Sequence, residues 1–173
     1  MKRFLSILAF ASVALFGTLA MAQVPNNFPV ELSQPENWNI DQSDQADGRV
    51  IAYVDPSNDN RIEVLHRNVA RDTHAAALFS EFDKQLVSTS FNVRVAPREE
   101  TYELVSPGQS RKGTWAEYEF KSSVEVPITI VTYAFTVQSS AIILVGYFAT
   151  ENRTAGIEVF KTMISKMVDK AAE

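Results

Sequence analysis

Side chains suited to acid–base or metal chemistry are scarce in this sequence. It contains two histidines, His66 and His74, and no cysteine. A histidine acts as a general base when a suitable partner lies within hydrogen-bonding distance, and the sequence identifies no such partner for either one. Neither a Gly-x-Ser-x-Gly elbow nor a Gly-x-Gly phosphate loop is present. We therefore expect no catalytic residue. A hydrolase or metal-dependent enzyme is the minority alternative, and a carboxylate or serine within about 3 Å of His66 would favour it.

Aspartates cluster in one part of the sequence. Asp41, Asp44 and Asp47 precede a strand, and Asp55 and Asp59 lie in the loop after it. A hard cation needs six or more oxygen ligands that converge on one point. The loop starts like a calcium-binding loop but lacks its central glycine, and a histidine stands at the position of the closing glutamate. We expect polar loops with no metal or cofactor, and the sequence leaves cation binding by this region open.

One aromatic residue stands out as a candidate for partner binding. Trp115 alternates with Glu117 and Glu119 on one face of a predicted strand, whereas Ala116 and Tyr118 lie on the other face. An aromatic ring beside two carboxylates is more typical of a binding surface than of a core. We predict that Trp115 is partly exposed and that Trp115, Glu117 and Glu119 belong to a partner surface.

The first 22 residues have the pattern of a secretory signal. Lys2 and Arg3 precede an apolar run from Phe4 to Leu19, and Ala20-Met21-Ala22 fits a signal peptidase site. We predict cleavage after Ala22 and a soluble protein in the periplasm or outside the cell. A retained membrane anchor is the alternative, which the short run disfavours. The net charge of −5 argues against nucleic acid or an anionic membrane as a partner.

The remaining chain, residues 23–173, reads as one α+β domain. Gln23 to Gly48 is polar and irregular, with a short edge strand around Val30. Two predicted strands are apolar on both faces, so they require cover on both faces. The prediction is a mainly antiparallel sheet of about six strands covered by two principal helices. The predicted helices span Thr73–Ser88 and Thr154–Lys170, and the predicted strands span Arg49–Asp55, Arg61–Asn68, Phe91–Ala96, Glu100–Val105, Gly113–Lys121, Ile128–Gln138 and Ala141–Thr150.

Three segments in this order resemble a known family. They are the Pro-x-x-Trp segment Pro35–Trp38, the strand Trp115–Phe120 with sequence WAEYEF, and the helix Ile157–Ser165. The pattern resembles the PsbP/Mog-like superfamily, in particular its exported bacterial DcrB-like branch, over about Phe28 to Val168. The resemblance implies an αβα sandwich and mostly non-enzymatic assembly or accessory roles. The chain lacks the lipid-anchor cysteine of some envelope members, and nothing in it implies a photosynthetic role.

The functional prediction is a non-catalytic accessory module that binds an unidentified envelope or extracellular protein. The alternative from another class is a carrier of a small apolar ligand or lipid. Such a carrier would need an internal cavity among Phe79, Phe82, Tyr133 and Tyr147, between helix and sheet. The spacing of these aromatic residues is more typical of packing than of a ligand cavity.

Overall fold

The computed structural model describes residues 28–45, 48–58, 60–69, 75–89, 91–120 and 127–170. The predicted signal segment, Met1–Ala22, lies outside these residues, as does the predicted start of the first helix at Thr73. The described residues form a mixed α+β fold, as predicted. In chain order the elements are β1 (Val30–Glu31), β2 (Asn39–Gln45), β3 (Gly48–Val54), β4 (Arg61–Asn68), α1 (Ala75–Thr89), β5 (Phe91–Glu103), β6 (Ser110–Phe120), β7 (Ile128–Val137), β8 (Ser140–Ala149), α2 (Arg153–Lys166) and β9 (Val168–Asp169).

Seven of these strands form one sheet with the spatial order β2-β3-β4-β8-β7-β6-β5. Every neighbouring pair in it is antiparallel, as the sequence predicted. The apolar strands β7 and β8 lie near its centre, where both of their faces are covered. The remaining strands, β1 and β9, pair with each other in a separate two-stranded ribbon.

The sheet has seven strands rather than about six, and its two edges account for the differences from the prediction. The edge strand β2 falls in the segment predicted to be irregular, because an edge strand needs backbone pairing more than apolar side chains. The opposite edge strand, β5, runs continuously through Pro97, where two short strands were predicted. The register shifts between Val95 and Arg98, and a proline is tolerated at such an irregularity on an edge.

The helix after β8 is shorter than predicted. A 3₁₀ turn, Thr150–Asn152, leads into α2, which ends at Lys166 because Met167 adopts an extended conformation. The next two residues, Val168 and Asp169, form β9 instead of the last predicted helical turn, and Val168 is 40% exposed there. Among the described residues, no helix is long and apolar enough to cross a membrane.

Two hydrophobic clusters lie on opposite faces of the sheet, because side chains alternate along each strand. Helix α2 contributes to the larger cluster, which includes Trp115, Tyr133, Leu144, Phe148 and Phe160. Helix α1 covers the other face, where its residue Phe79 packs with Phe91, Ala116, Tyr118, Ile130, Ala134, Ile143 and Val145.

Close packing of α2 against β8 requires a glycine in the first turns of the helix. A Cβ atom added to Gly156 would lie 2.6 Å from Cγ and 2.8 Å from Cε1 of Phe148. Both distances are well inside van der Waals contact. The ring of Phe148 is fully buried, so it has little room to move aside. Gly156 therefore sets the distance between α2 and the sheet.

Candidate functional site

A half-open groove lies between one side of α2 and the paired strands β5 and β6. Its volume is about 260 Å³. The sheet supplies two residues from each of β5 and β6, and the helix supplies residues on one flank from its first turn onward. The lining residues are Arg98, Glu100, Trp115, Glu117, Arg153, Thr154, Ile157, Glu158 and Lys161. The groove thus combines an apolar floor with charged walls.

The floor is formed by Trp115 and Ile157, which are 2% and 7% exposed. The Trp115 ring packs edge-on against Phe160 of α2, with ring centroids 5.6 Å apart and an interplanar angle of 81°. Trp115 also lies 6.1 Å from the ring of Tyr102. The expectation that Trp115 is partly exposed is wrong, because α2 covers the strand face on which it lies.

Glu117 connects the floor to the helix. Its Oε1 accepts a hydrogen bond of 3.2 Å from the indole nitrogen of Trp115. Its Oε2 accepts a hydrogen bond from Nη2 of Arg153, in the first turn of α2. The side chain of Glu117 is 9% exposed and that of Arg153 is 25% exposed. This ion pair fastens the start of α2 to the sheet, and a buried charge of this kind needs its partner.

The strand wall carries a second set of polar contacts. Arg98 donates through Nε to Oε1 of Glu100 at 2.8 Å, and Tyr102 donates its hydroxyl to Oε2 at 2.7 Å. Burial and the hydrogen bond to Glu100 raise the pKa of Tyr102 well above its usual range. Tyr102 therefore stays neutral near pH 7 and acts here as a donor rather than a base.

The outer wall is an exposed pair on α2. Lys161 donates to Glu158 at 3.2 Å, one turn apart on the helix. Pairs of this type contribute little to stability and exchange partners readily. Each cation of the groove is thus paired with one carboxylate, and the strength of the pairing decreases from the floor to the rim.

The structure separates the three residues predicted as a partner surface. Trp115 and Glu117 lie together in the groove, whereas Glu119 pairs with Arg94 and does not line it. Arg153 and Lys161 were missed, because no local pattern connects α2 with β6. The one available signal was that Lys161 falls on the polar flank of the predicted helix; Arg153 precedes the predicted start at Thr154.

Of the two histidines, His66 has a partner that the sequence did not reveal. Its Nε2 lies 3.0 Å from the hydroxyl oxygen of Ser140, at the adjacent ends of β4 and β8. The Phe28 ring packs against the imidazole with centroids 5.1 Å apart. Ser140 is only 8% exposed. The distance condition set for the hydrolase alternative is met, although a nucleophile also needs access to substrate. His74 lies outside the described residues.

The aspartates from Asp41 to Asp59 were the candidate cation ligands, and the structure describes only some of them. Asp55 accepts hydrogen bonds from the backbone of Ser57 at 2.9 Å and from Asn58 at 3.0 Å, which is ordinary turn capping. Asp47, Asp59 and the side chain of Asp44 fall outside the described part. Within the ranges that the structure covers, no group of three or more histidine or acidic side chains could hold a metal ion.

The cavity that an apolar carrier would need does not form from the expected residues. Phe79 and Tyr147 pack on the α1 face of the sheet, whereas Tyr133 lies in the cluster on the α2 face. The sheet itself separates them. The hydroxyl of Tyr133 donates to the backbone oxygen of Arg111 at 2.8 Å. The side chain of Phe82 is not described.

Comparison with known proteins finds similarity in fold, at low sequence identity. No family model matches the sequence, and no curated protein matches it either. The fold is similar to the solution structure of cyanobacterial PsbP (CyanoP) from Synechocystis sp. PCC 6803. That match has a TM-score of 0.62 and 13% identity, and it covers 91% of this chain and 98% of that one.

Two further solved structures show the same likeness. LpqN, a Mycobacterium tuberculosis protein described as involved in cell envelope biogenesis, matches with a TM-score of 0.55 and 11% identity over 84% of this chain and 88% of that chain. A Bacteroides thetaiotaomicron VPI-5482 protein matches with a TM-score of 0.50 and 9% identity over 83% of this chain and 46% of that chain. The chain therefore has a PsbP-like fold.

Proposed function

We propose that this protein is an exported, non-catalytic accessory module of the cell envelope that binds a partner protein through the groove between α2 and β5–β6. The observation that carries the proposal is the groove itself, with its apolar floor at Trp115 and its rim of charged side chains. Protein interfaces commonly carry polar and charged side chains at a solvent-accessible rim, as this groove does. The PsbP-like fold and the envelope role of LpqN support an accessory function.

The proposal places the mature chain in the periplasm or outside the cell, after cleavage at Ala22. It also assigns the chain to the exported bacterial DcrB-like branch, on the segments that resemble that branch. Export can be tested by expressing the full chain in its host and sequencing the N-terminus of the secreted form. A mature protein that starts at Gln23 would support export, and an uncleaved cytoplasmic protein would contradict it.

Site-specific photocrosslinking in the native envelope tests the binding function. A photoreactive amino acid replaces Thr154, which is exposed and lines the groove. The matched control replaces Thr136, which is exposed on β7, on the sheet face that α2 does not cover. We expect one specific protein to be crosslinked at Thr154 and absent at Thr136. The same crosslinking pattern at both positions would refute a partner surface at the groove.

One observation favours a second candidate function. His66 Nε2 and the Ser140 hydroxyl form the beginning of a serine–histidine pair. In a hydrolase of this type, a fluorophosphonate probe would label Ser140 covalently. The burial of Ser140 makes binding the better-supported function, and the probe experiment distinguishes the two.

A further inference from the structure

The groove has more exposed hydrogen-bond donors than exposed acceptors. Both oxygens of Glu117 and both oxygens of Glu100 already accept hydrogen bonds. A guanidinium has five N–H donors and an ammonium has three. Among the described residues Arg153 uses one donor, to Glu117, and its side chain is 25% exposed. Lys161 likewise makes a single contact, to Glu158. An incoming group that brings acceptors would complete this arrangement.

The exposure of the charged side chains favours the same conclusion. The two inner carboxylates, Glu117 and Glu100, are 9% and 23% exposed, whereas the cations Arg153, Lys161 and Arg98 are 25%, 41% and 60% exposed. A ligand that enters the groove therefore meets cations before it meets the inner carboxylates. Only Glu158 is an exposed acidic group here, and its partner Lys161 can exchange to a new carboxylate at little cost.

The start of α2 adds a further positive element. The first turn of α2 contains no acidic residue, and Asn152 at its N-terminus makes no side-chain capping hydrogen bond. The positive end of the helix dipole therefore lies beside Arg153 and Thr154 in the groove wall. Arg153 and Lys161 are eight positions apart, which corresponds to about 12 Å along a helix. About four extended residues span that distance.

From these observations we infer that the groove binds an extended acidic segment of the partner, with carboxylate side chains held by Arg153, Lys161 and Arg98. The inference rests on the proposed binding function and specifies the chemistry of the partner. A segment of this length matches the spacing of the cations along α2, and each carboxylate would supply the acceptors that the groove lacks. Charge-assisted hydrogen bonds to guanidinium groups are strong and geometrically selective.

Hexaglutamate, capped at both ends, is the probe. Calorimetric titration of the purified protein should show saturable binding that weakens as salt is added. Hexalysine and a peptide with glutamine in place of every glutamate should not bind. Hexalysine binding as tight as hexaglutamate binding would overturn the inference. Free glutarate that binds as tightly as hexaglutamate would also overturn it, because the site would then serve a small organic acid rather than a partner segment.

Charge removal identifies the residues. Arg153→Gln should weaken hexaglutamate binding about 10- to 100-fold, the loss expected for a hydrogen bond to a charged group. Lys161→Gln should weaken it about twofold to fivefold, because that side chain is more exposed. The matched control is Arg94→Gln, which removes the same charge outside the groove and should leave the affinity unchanged. Equal losses for Arg94→Gln and Arg153→Gln would mean that attraction is nonspecific and would refute the site.

Two measures keep the experiment decisive. If Arg153→Gln proves unstable, Arg98→Gln serves instead, because an ion pair made by a 60% exposed side chain contributes little to stability. The crosslinking experiment at Thr154 separates this inference from the function itself. A specific crosslink at Thr154 without hexaglutamate binding would leave the binding function standing and remove only the acidic partner.

Discussion

Replacement of Gly156 by alanine tests how closely α2 is held to the sheet. The substitution adds one methyl group on the face of α2 that meets Phe148, at 2.6 Å from its Cγ. That carbon lies on the axis about which the ring turns, so turning the ring cannot move it away, and the fully buried side chain has little room to change its χ1 angle. The helix must therefore shift outward by about 1 Å to reach the ordinary contact distance of about 3.5 Å.

Two effects of opposite sign determine the result. Alanine is favoured over glycine in a helix by about 1 kcal/mol. Insertion of a methyl group into a tightly packed core typically costs about 1–3 kcal/mol. Because Phe148 is fully buried and the contact involves a carbon close to its backbone, the upper part of that range applies. We expect Gly156→Ala to lower the free energy of unfolding by about 1–2 kcal/mol. For a domain of this size, each kcal/mol lowers the melting temperature by about 2–4 °C.

Urea denaturation of four variants, Gly156→Ala, Phe148→Leu, their double variant and Ala155→Gly, measures the balance. The background variant is Phe148→Leu, which removes the ring that the new methyl group would meet. Gly156→Ala should cost less in this background than in the natural chain, with a coupling above about 0.5 kcal/mol. Ala155→Gly, at an exposed neighbouring position, reports the helix propensity alone and should cost about 1 kcal/mol. A stabilising effect of Gly156→Ala, or an equal cost in both backgrounds, would refute the close-packing argument.

Three other predictions follow from the described contacts. Burial raises the pKa of Tyr53 to about 12, whereas an unfolded tyrosine titrates near 10. The contribution of the buried, neutral Tyr53 to the free energy of unfolding is therefore complete below about pH 10 and is lost as the pH rises toward 12. Urea unfolding at about pH 9 and 11 should show a smaller alkaline loss in Tyr53→Phe than in the natural chain, and an equal loss would contradict the assignment. A fluorophosphonate probe should label wild type no more than Ser140→Ala; labelling abolished by both Ser140→Ala and His66→Ala would support the hydrolase alternative. Arg153→Met should lower the free energy of unfolding by about 2–3 kcal/mol because it leaves a charge on the buried Glu117. The double variant Arg153→Met/Glu117→Gln should recover most of that loss in thermal denaturation, and equal stability of the single and double variants would disprove the role of the ion pair.

The central strands could be predicted from the sequence because the side chains on both of their faces are apolar and must be buried. The strands Ile128–Val137 and Ser140–Ala149 are apolar on both faces, which only a covered position in a sheet satisfies. The edges could not be predicted in the same way. In β2 the described backbone pairs with β3, and the polar sequence carries no apolar alternation that would indicate a strand. In β5, Pro97 suggested a break that the bulged edge pairing tolerates.

The groove could be predicted only in part, for a similar reason. Alternation indicated that Trp115 and Glu117 share a strand face, and both residues line the groove. It did not show which face α2 would cover, so the exposure of Trp115 was predicted wrongly. Sequence periodicity assigns side chains to faces, whereas burial depends on an element that comes later in the chain.

The ion pair between Arg153 and Glu117 shows what this separation means for function. The two residues are 36 positions apart, so their charges meet only when α2 docks on the sheet. Docking also buries Trp115 and creates the wall that carries Lys161. The same contacts that stabilise α2 therefore assemble the groove. A variant that displaces α2, such as Gly156→Ala, should weaken hexaglutamate binding although it changes no charge, whereas Ala155→Gly should not. Unchanged binding in Gly156→Ala would mean that the groove does not depend on the close docking of α2.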